Sequence, residues 1–230
     1  MRSIVLLLIL APGFLLANDY DLSLSVKGSF TTSTRFTYNI DRVNTFSEER
    51  TITSNLGYGA DLRWNILWDR FYIGVSGEKI AGMDKWSVLY PQYGYLAVPH
   101  QEGFEVTAVE LSGYYVVPIS SEEIRFYLGG GLGTYDGSRT FSIAGVKTET
   151  ISSASYMGIH VMTGIDYRLH ARIGLRLEIK FRDPHFDVTT KFEQPSAEYQ
   201  GRRIALPQTE EVTKVNLFGV NYMGGIAVTL

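Results

Sequence analysis

Alternating charge is the first chemical feature of this chain. In the stretch RIGLRLEIKFRD, residues 172–183, Arg176, Glu178, Lys180 and Arg182 occupy every second position, with Ile173, Leu175, Leu177, Ile179 and Phe181 between them. An extended backbone sends successive side chains to opposite faces, so the charged groups share one face and the apolar groups the other. Four histidines could add acid–base or metal chemistry. His160 falls on the same strand face as Asp166 and Arg168, which could make a dyad, although a histidine satisfied within a charged network is the commoner use of such a site. DPHFD sets Asp183, His185 and Asp187 on one side of an extended chain, donors that suit a hard or borderline cation, yet three such donors recur by chance on solvated loop edges. His170 sits in a turn. There is no cysteine, which excludes thiolate nucleophiles, thiolate metal sites and disulfides. No nucleophile, base and orienting acid fall together, so the expectation is a non-enzyme with no cofactor and no metal.

The elements that hold these groups are strands. One apolar face after another recurs with period two: Leu22, Leu24, Val26 and Phe30; Leu56, Tyr58, Leu62, Trp64 and Trp68; Ile73 and Val75 after Phe71; Val109, Leu111 and Tyr115. It continues in Phe126, Leu128 and Leu132, in Met157, Ile159, Val161, Ile165 and Tyr167, in the opening stretch, and in Phe218, Val220, Tyr222, Ile226, Val228 and Leu230. About eight strands follow, with no helix after the N-terminal segment. The connections after the second, fourth and sixth strands are short and those after the first, third, fifth and seventh are longer, the last running from Asp183 to Thr213. Around Ala144 and Gly145 the alternation continues, so the third long connection is expected to be a hairpin that extends the sheet.

The N-terminus reads MRSIVLLLILAPGFLLAND: one Arg, an apolar run from Ile4 to Leu16 broken only by Pro12 and Gly13, and then Ala17. The run is too short to span a bilayer as a helix and has the order of a secretory signal, giving residues 1–17 as the signal peptide and 18–230 as a single barrel domain. With 21 Lys and Arg against 24 Asp and Glu the net charge is −3, which leaves no basic footprint for nucleic acid.

Which face meets solvent decides the class. If the charges faced outward, this would be a soluble eight-stranded carrier. The charged face, however, is rich in glycine, which weakens a soluble strand but makes room for long side chains inside a narrow eight-stranded barrel. The apolar face therefore meets lipid, and Asp61, Arg63, Glu78, Glu110, Arg125, Asp166, Arg168, Arg176, Glu178 and Lys180 are expected to form an ion-pair network in the lumen. Trp68, Phe71, Tyr115, Phe126 and Tyr167 lie near the short turns as an interfacial girdle, with Phe36, Tyr38, Phe181 and Phe218 as the opposite belt. The second long connection, KWSVLYPQYGYLAVPHQEGF, carries Trp86, Tyr90, Tyr93 and Tyr95, rigid aromatics of the kind contact surfaces use, or a cap over the barrel mouth. Arg202 and Arg203 in the last connection could meet lipid phosphates.

The secretory signal, the eight alternating strands, the short and long connections in strict alternation and the ending MGGIAVTL, with Gly225, Val228 and Leu230 at matching places, resemble the small outer-membrane β-barrel superfamily of the OmpA/OmpX type. The resemblance implies an all-β, antiparallel, up-and-down transmembrane barrel in the bacterial outer membrane, in contact with lipid and with the barrel-assembly machinery, probing its surroundings through its loops and monomeric. A structural or surface-interaction role is expected first. A small passive channel is the alternative, and a lipid-modifying enzyme a third.

Overall fold

The computed structural model describes residues 22–38, 49–67, 70–121 and 123–230. The expected signal peptide, the first long connection and Trp68 lie outside the described residues. The strands are β1 (Leu22–Tyr38), β2 (Glu49–Leu67), β3 (Phe71–Tyr90), β4 (Leu96–Val116), β5 (Ile124–Ile143), β6 (Val146–Ser153), β7 (Tyr156–His170), β8 (Ile173–Arg182), β9 (His185–Phe192), β10 (Ser196–Tyr199), β11 (Arg202–Ala205), β12 (Glu211–Asn216) and β13 (Gly219–Thr229). Among the described residues no helix is long or apolar enough to cross a membrane.

The pairing closes fully once. Near the short turns, β1, β2, β3, β4, β5, β7, β8 and β13 form an antiparallel ring of eight, with β13 returning to β1. Farther up, β1 to β5 continue while β6, β9 and β12 replace β7, β8 and β13 and β12 pairs with β1, but the β2–β3 ladder ends at Leu56 opposite Ala81, leaving a seam that the Arg50–Asp84 pair bridges. The result is an up-and-down barrel of two storeys. At 21 residues and about 3.3 Å per residue, β4 runs roughly 70 Å; tilted by about 40°, it climbs roughly 50 Å, about twice the apolar band of a bilayer barrel.

The lower storey turns its apolar face outward. Leu111 is 61% exposed, and Val26, Leu62, Val75, Leu128, Ile159, Leu177 and Ile226 stand beside it on the outer wall. Phe71, Phe126 and Tyr167 face out near the short turns, with the Phe71 and Tyr115 rings 5.0 Å apart. Phe181 and Phe218 face out at the other edge of the belt.

Phe36 and Tyr38 do not join that edge. Phe36 is fully buried and Tyr38 packs against the same internal cluster. The ladder between β1 and β2 passes from Thr31 opposite Asn55 to Ser33 opposite Thr53, with Ser54 in the left-handed region at φ 65°. This irregularity moves the inward face from odd to even positions in both strands, so that Thr34, Phe36 and Ile52 point in. A bulge re-aims every side chain beyond it.

The connections also differ from expectation. β3 and β4 pair without a break from Phe71 opposite Tyr115 to Tyr90 opposite Leu96, so the aromatic segment is a hairpin wall, reversed by a 3-10 turn at Pro91–Tyr93 and by Gly94 in the left-handed region. Residues 183–213 are likewise largely strand, comprising β9, the β10–β11 hairpin and the start of β12. The third connection is the expected hairpin, with Ala144 and Gly145 at positive φ.

Inward glycines set how tightly the wall packs. A Cβ on Gly131 would run into the Leu111 carbonyl oxygen, a backbone atom that cannot step aside, whereas one on the outward Gly77 would meet nothing within 4 Å. Gly131→Ala should lower the temperature at which the folded barrel loses its compact, fast-migrating form on unheated gels. Gly77→Ala should leave that temperature unchanged or raise it slightly, as the unfolded chain loses freedom.

Candidate functional site

The interior of the barrel is layered, and each layer is made by residues of one strand parity. Next to the short turns a cavity of about 170 Å³ opens to the outside between Arg125, Arg168, Asp166, Tyr72 and Tyr114. Arg125 donates from Nη1 to the Tyr72 hydroxyl at 3.0 Å. Arg168 is exposed at the rim.

The floor of this cavity is a charged layer. Asp61 accepts from Ser25, from Lys27 Nζ at 3.0 Å, from Arg63 Nε at 2.9 Å and from Arg176 Nη1 at 2.9 Å. Glu178 accepts from Lys27, Arg63 and the Tyr127 hydroxyl, the last at 2.7 Å. Arg176 also grips Asp166 through Nε and Nη2 at 2.7 and 3.0 Å. The Arg63 guanidinium lies over the Tyr114 and Tyr127 rings, 3.9 and 4.7 Å from their centroids. Above it, Glu110 accepts from Lys180 and from the Tyr135 hydroxyl at 2.8 Å. Arg182 binds both oxygens of Glu78 at 2.8 and 3.2 Å, and Asn221 donates to Glu78 at 2.9 Å. A buried charge is tolerated only when it is paired and hydrogen-bonded, and here each carboxylate of the floor meets at least two donors.

The structure thus brings Asp61, Arg63, Glu78, Glu110, Asp166, Arg176, Glu178 and Lys180 into one network and leaves Arg125 and Arg168 below it. Lys27 and Arg182 also belong to it, both on the inward parity of their strands; Lys27 sits among serines in β1, where a lone cation draws little notice. His160 lies with Ser112, Nε2 to Oγ 2.8 Å, and 3.9 Å from Glu110, one layer above Asp166 and Arg168, so the dyad considered from sequence does not form. Among the described residues no group of three His, Asp or Glu is arranged to hold a metal ion, and the His185 ring packs on Tyr156 at 4.3 Å between centroids.

Over the charges sits an apolar plug of Phe36, Ile52, Ile80, Phe104, Phe186 and Leu217. The upper storey then encloses a second polar layer. Arg139 donates to Glu102 at 2.8 Å, Glu211 at 3.1 Å and Thr213 at 2.7 Å, and Tyr38 donates to Glu102. Burial opposes the Arg139 charge, but Glu102 and Glu211 outweigh it and hold its pKa above the usual range. Nearby, Arg50 binds Asp84, whose carboxyl its hydrogen bond holds below the usual range, and stacks 3.2 Å from the Trp86 ring centroid. His100, 5.5 Å from Trp86, is pushed down by burial and by Arg50. Sequence reading missed this layer because its residues fall in segments taken as loops.

The top is closed by a second apolar cluster, Val98, Ile143, Phe192, Ile204 and Leu206, with Tyr90 and Tyr93 packed on it and the β10–β11 hairpin contributing Ile204. Of the four aromatic residues of the second connection, Trp86, Tyr90 and Tyr93 are therefore partly buried wall and cap residues, while Tyr95, 72% exposed, points away.

No family model matches this chain, and no curated protein does. Solved structures do. The chain is similar to the outer membrane protein OprG from Pseudomonas aeruginosa with a TM-score of 0.61 at 10% identity, covering 93% of this chain and 96% of that one. It is also similar to Neisserial surface protein A, at a TM-score of 0.49 and 12% identity over 92% and 99% of the two chains. The attachment invasion locus protein Ail of Yersinia pestis aligns with a TM-score of 0.45 at 13% identity, over 93% and 100%. The OprG likeness establishes that this chain shares the fold of that barrel.

Glu178→Gln removes the charge that Lys27 and Arg63 share while keeping the shape. Breaking a buried pair in this way costs about 3–5 kcal/mol. Denaturant unfolding in lipid vesicles should show that loss, while Glu105→Gln, in the exposed Lys79 pair, should change stability little.

Proposed function

We propose that this chain is a non-conducting outer-membrane barrel whose lower storey is an anchor in lipid and whose upper storey is a contact surface held clear of the membrane. The observation that carries the reading is the filled lumen. A solute moving along the axis would meet the Asp61–Arg63–Glu178 floor, the Glu78–Arg182–Glu110 layer, the plug around Phe36 and Phe104, and the cap on Ile204. The inverted polarity of the lower wall, apolar outside and charged inside, supports the membrane placement, because lipid is the solvent in which that arrangement is favourable. The OprG likeness supports the same placement at the level of fold.

On this reading the N-terminal segment directs export, the assembly machinery inserts the chain, and the barrel works as a monomer. The interaction surface is the outside of the upper storey and its tips, where Leu89 and Tyr95 are exposed and Arg202 and Arg203 stand on the β10–β11 hairpin. Catalysis has no place in it, since His160 and the carboxylates around it are engaged in holding the lumen together.

Planar-bilayer recordings of refolded protein, verified as folded by heat-dependent gel mobility, should give no discrete conductance steps. Reproducible steps that change ion selectivity in Arg176→Ala would replace this reading with a small channel. Separately, Leu111→Arg on the outer wall should weaken folding into vesicles by about 2–4 kcal/mol if that position faces the bilayer midplane. An unchanged folding equilibrium would count against a lipid-facing wall.

A further inference from the structure

The cavity at the turn end is walled by more positive charge than its neighbours neutralise. Among the described residues, Arg125, Arg168 and Arg172 line it, with Arg63 and Arg176 at its floor, against Glu123 and Asp166. The floor arginines are taken up by Asp61, Asp166 and Glu178. The other three are not: among the described residues no carboxylate lies within ion-pair distance of Arg125, Arg168 or Arg172. Arg125 is half-buried and among the described residues bonds the Tyr72 hydroxyl, which fixes the position of its fork without neutralising it.

We propose that this cavity is a binding site for a phosphate group. Guanidinium forks match the geometry of phosphate oxygens and bind them through charge-assisted hydrogen bonds. Arg125 is held from within by Tyr72, and Arg168 at the rim supplies a second fork. The space, about 170 Å³, is more than ten times the roughly 10–15 Å³ that one water requires, and it accommodates a phosphate with part of whatever carries it. The Tyr72 and Tyr114 side chains, nearly buried, form a rigid wall. The paired floor behind them closes the site, so the ligand enters and leaves by the same mouth. The phosphate could be free in the compartment the short turns face, or it could be the headgroup of a lipid in the leaflet beside them, because the rim residue Arg168 is followed by the outward, exposed Leu169.

The test is a titration of inorganic phosphate into the full-length barrel refolded in a nonionic detergent, following the side-chain Nε–H signals of arginine by NMR. A saturable shift of a subset of these signals is expected, weakened at least about tenfold in the Arg125→Gln/Arg168→Gln double variant, as the loss of two charge-assisted bonds requires. Arg202→Gln, on the far hairpin, should bind as the unaltered chain does. The same titration in nanodiscs of phosphatidylglycerol separates the sources: phosphate that no longer binds there identifies the lipid headgroup as occupant, and phosphate that still binds identifies a soluble one. Absence of any saturable shift, or an equal shift in the folded double variant, overturns the site. Arg168→Gln alone, which removes an exposed side chain with no hydrogen bond or ion pair among the described residues to break, should keep the heat-dependent gel shift of the folded barrel while weakening phosphate binding.

Discussion

Everything in this barrel depends on sealing charge away from an apolar surrounding. Once the outward face of every lower strand is mostly apolar, the alternation of the backbone forces the opposite residues into a lumen only a few side chains wide. Ten or so ionic groups then share a space that excludes most water, and they persist there only by mutual neutralisation. Asp61 with Lys27, Arg63 and Arg176, and Glu110 with Lys180 and Arg182, meet that condition through groups drawn from strands far apart in sequence. The glycines at inward positions follow from the same constraint. Gly164 lets the Tyr127 ring lie flat enough to reach Glu178, and Gly133 leaves space beside the Tyr135 hydroxyl and the Glu110 stem.

The outer wall of the same strands turns polar higher up, as at Lys85 and Glu105, and the rule inverts. β4 keeps its even residues inward along its whole length: Val98, His100, Glu102, Phe104, Val106, Ala108, Glu110, Ser112 and Tyr114. Below, those positions are polar because the outside is apolar. Above, where the outer wall is polar, the interior holds apolar packing such as Phe104 on Phe36, with ring centroids 5.9 Å apart. One continuous strand therefore carries two opposite amphipathic patterns joined at the plug.

This inversion explains what could and could not be seen in the sequence. Residues 172–183 disclosed their own arrangement, since an unbroken alternation with charge on one side has few other solutions. The lower ring, its turn order and eight of the inward ionic residues were legible for that reason. The upper storey was not. There, polarity no longer reports the face, so Trp86, Tyr90 and Glu102 read as loop residues, although the register from Phe71 to Tyr90 runs without interruption. Phe36 and Tyr38 misled for a different reason: no residue type announces that Ser54 takes a positive φ and turns two strands over together. Arg125 and Arg168 share the correct parity but lie at the rim, where no described carboxylate reaches them, a distinction that depends on height along the axis and not on period.

The two storeys are not joined evenly around the circumference. Five strands, β1 to β5, pass through both, whereas the other three positions are interrupted at 154–155, 183–184 and 217–218, and these interruptions neighbour one another. Only side-chain and isolated backbone bonds stitch that region, such as Ser33 Oγ to the Phe218 carbonyl at 2.6 Å and Ala154 N–H to the Asp187 carbonyl at 3.2 Å. Mechanically the wall has a crease on one side and, on the other, five continuous strands that part between β2 and β3 above Leu56 and Ala81. A sideways load on the projecting tips would flex the molecule at the crease, and the seam between β2 and β3 lets the upper wall spread as it bends.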